Sequence, residues 1–360
     1  MLPIPHIRRI FLSLLWVLLS IGRSSPAAAG DNAWTSLGPP GATIFSLAIA
    51  PTAPPILYAA KMDGPLYKST DGGGTWITTG RSNVYTLAID PTTPSTLYAG
   101  IDYLYGGSVF KSTYGGDTWH AANTGLTNPN VNALVIDRDA PATVLYAATY
   151  GGGMFKSTNG GDNWIAVNDG LTSHLAISLA IAPAAQPRDP LAATTLYVGT
   201  TDSGVFKSTN GGTSWSQAST GLTAPWIYAL AIDPVTPATL YAGTDGGGVF
   251  KSTNGGETWA TANLGLNNWV VSALVVDPYK PSTLYAGTDG GVFKSTDSGA
   301  SWTALNTGLT TPEVWCLAIA PAAEQGAFTL YAGTDGGGVF AIQQFPIVYH
   351  VVGYLPLIMK

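Results

Sequence analysis

The stretch Leu240–Leu266, LYAGTDGGGVFKSTNGGETWATANLGL, recurs along the whole chain with small changes. Its tryptophan falls at Trp34, Trp76, Trp119, Trp164, Trp215, Trp259 and Trp302, at intervals of 42, 43, 45, 51, 44 and 43 residues. Self-similarity at that period is the signature of a radial repeat. Each unit reads as four short strands. An apolar run such as Tyr85–Asp90 comes first, and a Pro-rich turn leads to a second strand of the type LYAGTD. A Gly turn then leads to VFKST, and a turn of the type NGG or DGG leads to a fourth strand that opens on Thr-Trp. Gly, Asn and Asp at these turns supply the positive-φ geometry of tight hairpins.

Counting strand types predicts how the array ends. The last unit stops at Val339-Phe340-Ala341 without a Thr-Trp strand, and the first unit has only that strand, Ala33-Trp34-Thr35. Two complementary half-repeats imply a closed ring, because an open solenoid wants capping repeats at both ends. The expected fold is therefore all-β: a seven-bladed β-propeller of four-stranded antiparallel blades over residues 30–341. An N-terminal outer strand completes its last blade and removes the sheet edge that would invite aggregation.

The flanks differ from the ring. Arg8 and Arg9 precede the apolar run FLSLLWVLLSIG, and PAAAG follows, which is the three-part pattern of a secretory signal peptide over residues 1–29. Export to the outside or to the cell envelope is the expected localisation. The apolar run is too short to cross a hydrocarbon core of about 30 Å, so no membrane span is expected in the mature chain. The tail, residues 342–360, ends FPIVYHVVGYLPLIMK and reads either as a surface-retention or sorting element or as an added, packed strand.

Removing Arg8, Arg9 and Arg23 lowers the 15 basic residues to 12 against 21 acidic ones, a net charge of about −9. No cluster of Lys and Arg marks a nucleic-acid footprint. Cys316 is the one cysteine, so no intramolecular disulfide forms, and its apolar surroundings VWCLAIA read as core rather than as a reactive thiol. The repeated lysines Lys68, Lys111, Lys156, Lys207, Lys251 and Lys294 occupy one position of the unit. They are expected to lay their stems on apolar surface with the charges in water.

The fourth-strand turn resembles the Asp-box of sialidase-type (BNR) propellers, Ser-x-Asp-x-Gly-x-Thr-Trp. It is carried by Ser69, Asp71, Gly73, Thr75 and Trp76, and closely by Ser295, Asp297, Gly299, Ser301 and Trp302. Asn159, Asn210 and Asn254 replace the Asp in three units, and Tyr114 departs from it. The resemblance implies a folding element away from any active site. The chain also resembles sortilin-like and photosystem assembly-factor-like propellers, which bind without catalysis, and xyloglucan hydrolases of the tandem-propeller type. Sialidase activity is excluded, because the arginine cluster of those enzymes has no counterpart in Arg81, Arg138 and Arg188.

Alternate loops fall on opposite faces of such a ring. The face bearing the TDGG turns and the inter-blade connections is the varied one. Its turns carry Asp63, Asp102, Asp202, Asp245, Asp289 and Asp335, and its connections add His174 and Glu313. Near-identical Asp-Gly contexts read first as duplicated turn chemistry. The candidate ligand-binding residues are the aromatics that change from blade to blade: Phe45, Tyr85, Tyr103, Tyr105, Trp226, Tyr228, Trp269 and Trp315. Such rings either stack on a sugar or anchor a protein partner, or else are buried beside the channel. The expectation is a non-catalytic binding module or scaffold for a glycan or a secreted or envelope protein, with no cofactor and no metal site. The alternative is a glycoside hydrolase acting on a neutral polysaccharide, with Asp63, Asp335 and Glu313 as its acid and base.

Overall fold

The structure is a computed structural model that describes residues 33–101, 106–140, 143–183, 194–321 and 326–345. The leader 1–29, Asp102, Tyr103, Tyr105, Arg188 and most of the tail lie outside the described residues. Seven four-stranded antiparallel sheets make up the chain. Six of them use consecutive strands, and the seventh places Thr35–Gly38 outside Gly338–Gln344. The innermost strands of the blades are Ile44–Ala50, Val84–Ile89, Val131–Asp137, Ala176–Ile181, Ile227–Ile232, Val271–Val276 and Val314–Pro321. Each touches the next, and the last touches the first, so the ring is closed. The closing strand pairs Thr35 with Ala341 and Ser36 with Phe340. The partner strand runs on to Gln344, three residues past the end of the repeat as read at Ala341.

The reason the sequence builds this ring lies in the second and third strands. LYAGT segments such as Leu240–Thr244 are buried throughout, as a strand flanked by a sheet on each face must be. Their tyrosines, Tyr58, Tyr98, Tyr146, Tyr197, Tyr241, Tyr285 and Tyr331, pack between blades. Six of the phenols donate to a backbone carbonyl of the following blade, as Tyr197 does to Gly255 at 3.1 Å. The seventh, Tyr285, donates to the Gln344 side chain at 3.0 Å, because blade 7 has no fourth-strand turn to offer a carbonyl.

The repeated lysines depart from expectation. Their ammonium groups are not released into water. Lys207 donates to the same Gly255 carbonyl at 2.8 Å, and Lys111, Lys156 and Lys251 do likewise with Gly160, Gly211 and Ser298. Lys294 takes Gln344, and Lys68 takes the Asp117 carboxylate. Each ammonium also lies 5.3–6.0 Å from the centre of its own blade's tyrosine ring. Stem burial was the correct part of the reading. The head is held because a turn carbonyl aimed outward has no strand partner and a cation satisfies it well.

Five of the six fourth-strand turns close in the same way, and the turn at Tyr114 keeps only the serine bond, from Gly116 N–H to Ser112 Oγ. Ser69 Oγ accepts from Gly73 N–H at 2.8 Å, and Asp71 accepts from Thr75 N–H at 2.9 Å. Asn159, Asn210 and Asn254 make the same turn bond as Asp, so the amide is a chemical equivalent there. The tryptophan that follows then ties its blade to the one before. The Trp259 indole donates to Ala218 O at 2.8 Å, and its backbone N–H donates to Thr220 O at 2.8 Å. That backbone bond recurs at five junctions. Gly221 makes the close approach possible: it sits at φ +89°, and a Cβ there would collide with the Trp259 carbonyl.

Blade 1 breaks the pattern on its far side. Val84 follows Trp76 by eight positions, where Val271 follows Trp259 by twelve, so the loop that would hold the next tryptophan is missing. Trp119 is half-exposed and bonds within its own turn, to Gly116 O. The Arg81 guanidinium fills the gap, 3.4 Å from the centre of the Phe110 ring.

Candidate functional site

All seven innermost strands share an irregularity that the sequence did not advertise. Their pairing with the second strand shifts register around one residue, and that residue is Phe45, Tyr85, Asn132, Ile177, Tyr228, Ser272 or Trp315 in turn. A bulge adds one residue to a strand and re-aims its side chain. Immediately before each bulge sits a buried anchor: Ile44, Val84, Val131, Ala176, Ile227, Val271 or Val314. The repeat is therefore strict up to the bulge and free at it. All seven bulged residues line one cavity of about 700 Å³ on the axis.

The cavity has a varied mouth, and five leucines, with Ser46, Thr86 and Ser178 among them, line it beyond the bulges. Asn130, Tyr150, Thr201 and Trp226 stand at the mouth, and Leu47, Leu179, Leu230, Leu274 and Leu317 lie two residues below the bulges. That offset is about 6–7 Å along a strand. No lysine, arginine, histidine or carboxylate lines it among the described residues. Two aromatic groups face each other across the axis. In blades 7, 1 and 2, Phe45 stacks on Trp315 at 5.1 Å and meets Tyr85 at 4.5 Å. In blade 5, Trp226 and Tyr228 meet at 5.9 Å. The Trp315 indole nitrogen is buried without a hydrogen-bond partner, and Trp226 is 41% exposed.

Of the sequence-predicted aromatics, Phe45, Tyr85, Trp226, Tyr228 and Trp315 come together in this cavity. Trp269 does not: it is exposed outside the lining, and its indole donates to Leu266 O at 3.3 Å. Tyr103 and Tyr105 lie outside the described residues. Tyr150 was missed. It stands where the other blades place the Asp of the Gly turn, so the departure itself was the signal. Asn130 and Asn132 were missed because a lone Asn beside a strand reads as loop chemistry.

The carboxylates form a rim around the mouth rather than part of its wall. Asp335 accepts from the Thr43 hydroxyl at 2.6 Å, and its N–H donates to Glu313 O at 2.9 Å. Asp245 N–H donates to Trp226 O at 3.1 Å. Partial burial, and then the charges of Asp335 and Asp289, push the Glu313 carboxyl up from the usual carboxylate range. Burial and then Asp245 push Asp289 the same way. Burial followed by Asp245 and Asp289 raises the Tyr228 phenol. The equivalent turns of blades 5, 6 and 7 set these acids along one arc. Asp63 sits apart in the blade 1 turn at φ 49°. Among the described residues, no three His, Cys, Asp or Glu side chains converge as metal ligands. Cys316 faces the same cavity, but burial pushes its thiol up to about 12, which leaves it a neutral S–H donating toward Ile44 O at 3.6 Å.

No protein-family model matches the chain, and no curated protein matches it in sequence. Solved structures share the fold. The xyloglucanase of glycoside hydrolase family 74 from Xanthomonas campestris matches with a TM-score of 0.61 at 19% identity, over 86% of this chain and 53% of its own. Sqt1 of Saccharomyces cerevisiae matches at 0.62 and 13% identity, over 88% of this chain and all of its own. A YCF48 protein bound to a D1 peptide matches at 0.60 and 14%, over 90% and all of its own. The chain thus spans about half the length of the xyloglucanase it matches. The chain is a seven-bladed β-propeller. Enzymes and binding proteins both occur among propellers of this shape, so the fold leaves the activity to the site.

Proposed function

We propose that the propeller is a non-catalytic recognition module of the exported or envelope-associated kind, taking a glycan or a protein partner at the channel mouth. One observation carries this reading. A ring that repeats itself nearly everywhere varies at the bulged position in every blade, and those seven side chains converge on one cavity. Duplication alone copies a residue, so the convergence of seven such divergent side chains on one cavity fits selection for a ligand. The charged leader supports export. The structural neighbour YCF48, matched over all of its own chain, is bound to a D1 peptide, which supports a binding role for a propeller of this size. Replacing Trp226 by Ala is expected to weaken ligand capture by about 2 kcal/mol, the scale of an exposed aromatic anchor, and to leave the fold intact. Titration against arrayed glycans and secreted proteins checks this.

A second reading keeps the ring as a glycoside hydrolase on a neutral polysaccharide. The specific observation in its favour is Glu313, whose carboxyl is raised by partial burial and then by the Asp335 and Asp289 charges, the direction a general acid needs. Against it, one Asp335 oxygen is engaged by Thr43. Reducing-sugar release from a panel of neutral glucans, lost in Asp63→Ala, Asp335→Asn or Glu313→Gln, would replace the binding reading with this one.

A further inference from the structure

The charge distribution around the mouth narrows the class of ligand. Beyond the bulges five leucines dominate a lining that carries no charge, so any ionic group inserted there would lose its hydration without an ionic partner. Beside it, Asp245, Asp289 and Asp335 occupy the same turn position in blades 5, 6 and 7; the Asp245 N–H donates to Trp226 O, and the Asp335 N–H donates to O of Glu313, two residues before Trp315, so negative charge follows one arc of the mouth. On this face the described basic groups are Lys61, which folds over Gly64 of its own turn, His174, and Arg81, whose guanidinium is held on the Phe110 ring at the junction of blades 1 and 2. Carboxylates set beside aromatic faces attract cations twice, through charge and through the ring quadrupole. The acids are spread along an arc rather than gathered on a point, which suits several cationic groups on one chain better than a single metal ion.

We propose that the mouth takes a basic peptide segment, with one apolar side chain seated in the leucine well and flanking lysines or arginines on the carboxylate arc. This rests on the binding reading above and adds its chemical class. A neutral glycan would stack on the same rings, but it would set hydroxyls against leucine and leave the mutually repelling acids uncompensated. The peptide matches both layers at once. Long basic side chains reach sideways from an anchored residue, and their stems lie on apolar surface while the heads meet the acids.

The test uses the folded propeller and three probe sets, read by indole fluorescence and calorimetry. One set is heptapeptides with a central Leu, Phe or Trp between two Lys or Arg on each side. The second replaces the basic residues by Glu, and the third is a series of neutral β-glucan oligosaccharides. The basic peptides are expected to bind, and to lose about tenfold or more in affinity as salt rises from about 50 to about 500 mM, because the arc is solvent-facing and screened. The triple variant Asp245→Asn, Asp289→Asn, Glu313→Gln is expected to lose a similar factor with an unchanged melting temperature. Trp226→Ala is expected to weaken basic peptides at every salt concentration. If oligosaccharides bind and basic peptides do not, the peptide proposal fails while the mouth remains the site. Equal binding of the Glu-bearing set, or no response to the triple variant in a folded protein, also overturns it. If no probe binds at millimolar concentration, and Trp226→Ala leaves capture from the glycan and secreted-protein arrays unchanged, the binding reading falls with it.

Discussion

Around the flanks of the blades, one solution is used again and again: tyrosine and lysine reach for the next blade's turn, and tryptophan reaches back for the previous blade's strand. At the channel mouth the seven innermost strands present Phe, Tyr, Asn, Ile, Tyr, Ser and Trp at one equivalent position. The first region is constrained because every blade must bury the same surface against an identical neighbour. The second is released because a bulged residue facing a cavity owes nothing to the ladder. Stability and recognition are therefore carried by different strands of the same blades, and substitutions can separate them.

The largest expected effect is on the flank. Trp259→Ala removes a 95%-buried indole and its bond to Ala218, and should cost about 3–5 kcal/mol in denaturant unfolding. Trp119→Ala is the control inside the same motif. Its indole is half-exposed and bonded only within its own turn, so it should cost well under half as much. Equal costs would mean that the blade-to-blade bond contributes little. Trp226→Ala inverts the pattern: a stability change within about 0.5 kcal/mol, as for an exposed residue, with ligand capture reduced.

Smaller effects sharpen the flank itself. Lys207→Met leaves the Gly255 carbonyl without its cation and should cost about 1–2 kcal/mol. Lys68→Met should cost less than about 1 kcal/mol, because its partner Asp117 is solvated. The smallest effect is acidic. Hydrogen bonds from Ser301 and Ser295 hold the Asp297 carboxyl down at about 2, so its stabilising contribution is complete above the usual carboxylate range and fades as pH falls toward 2. Asp297→Asn should keep the turn, as Asn254 does in its own blade, and flatten that part of an acid-unfolding curve.

The sequence disclosed the ring because closure depends on counting, and the split blade was visible as two half-repeats ending at Ala341 and beginning at Trp34. Five of the candidate aromatics could be gathered for the same reason: they broke a repeat. The bulge could not be read. A register shift leaves the order of residues untouched, and its residues carry no shared chemistry. Nor could the lysine heads be placed, since the acceptor that holds each one belongs to a neighbouring blade about 50 positions away. Trp269 looked equivalent to Trp226 by type, yet it lies outside the cavity wall.

The stitch in blade 7 has a mechanical side. The strand Thr35–Gly38 and its partner run antiparallel, with Thr35 beside Ala341 and the partner strand leaving past Gln344. The chain segments that enter and leave the ring therefore depart from the same end of that strand pair. Tension applied through both would load its hydrogen bonds one after another, as in opening a zipper, rather than all together in shear. The ring should yield at this seam at low force, and the other six blades should stay folded until it has opened.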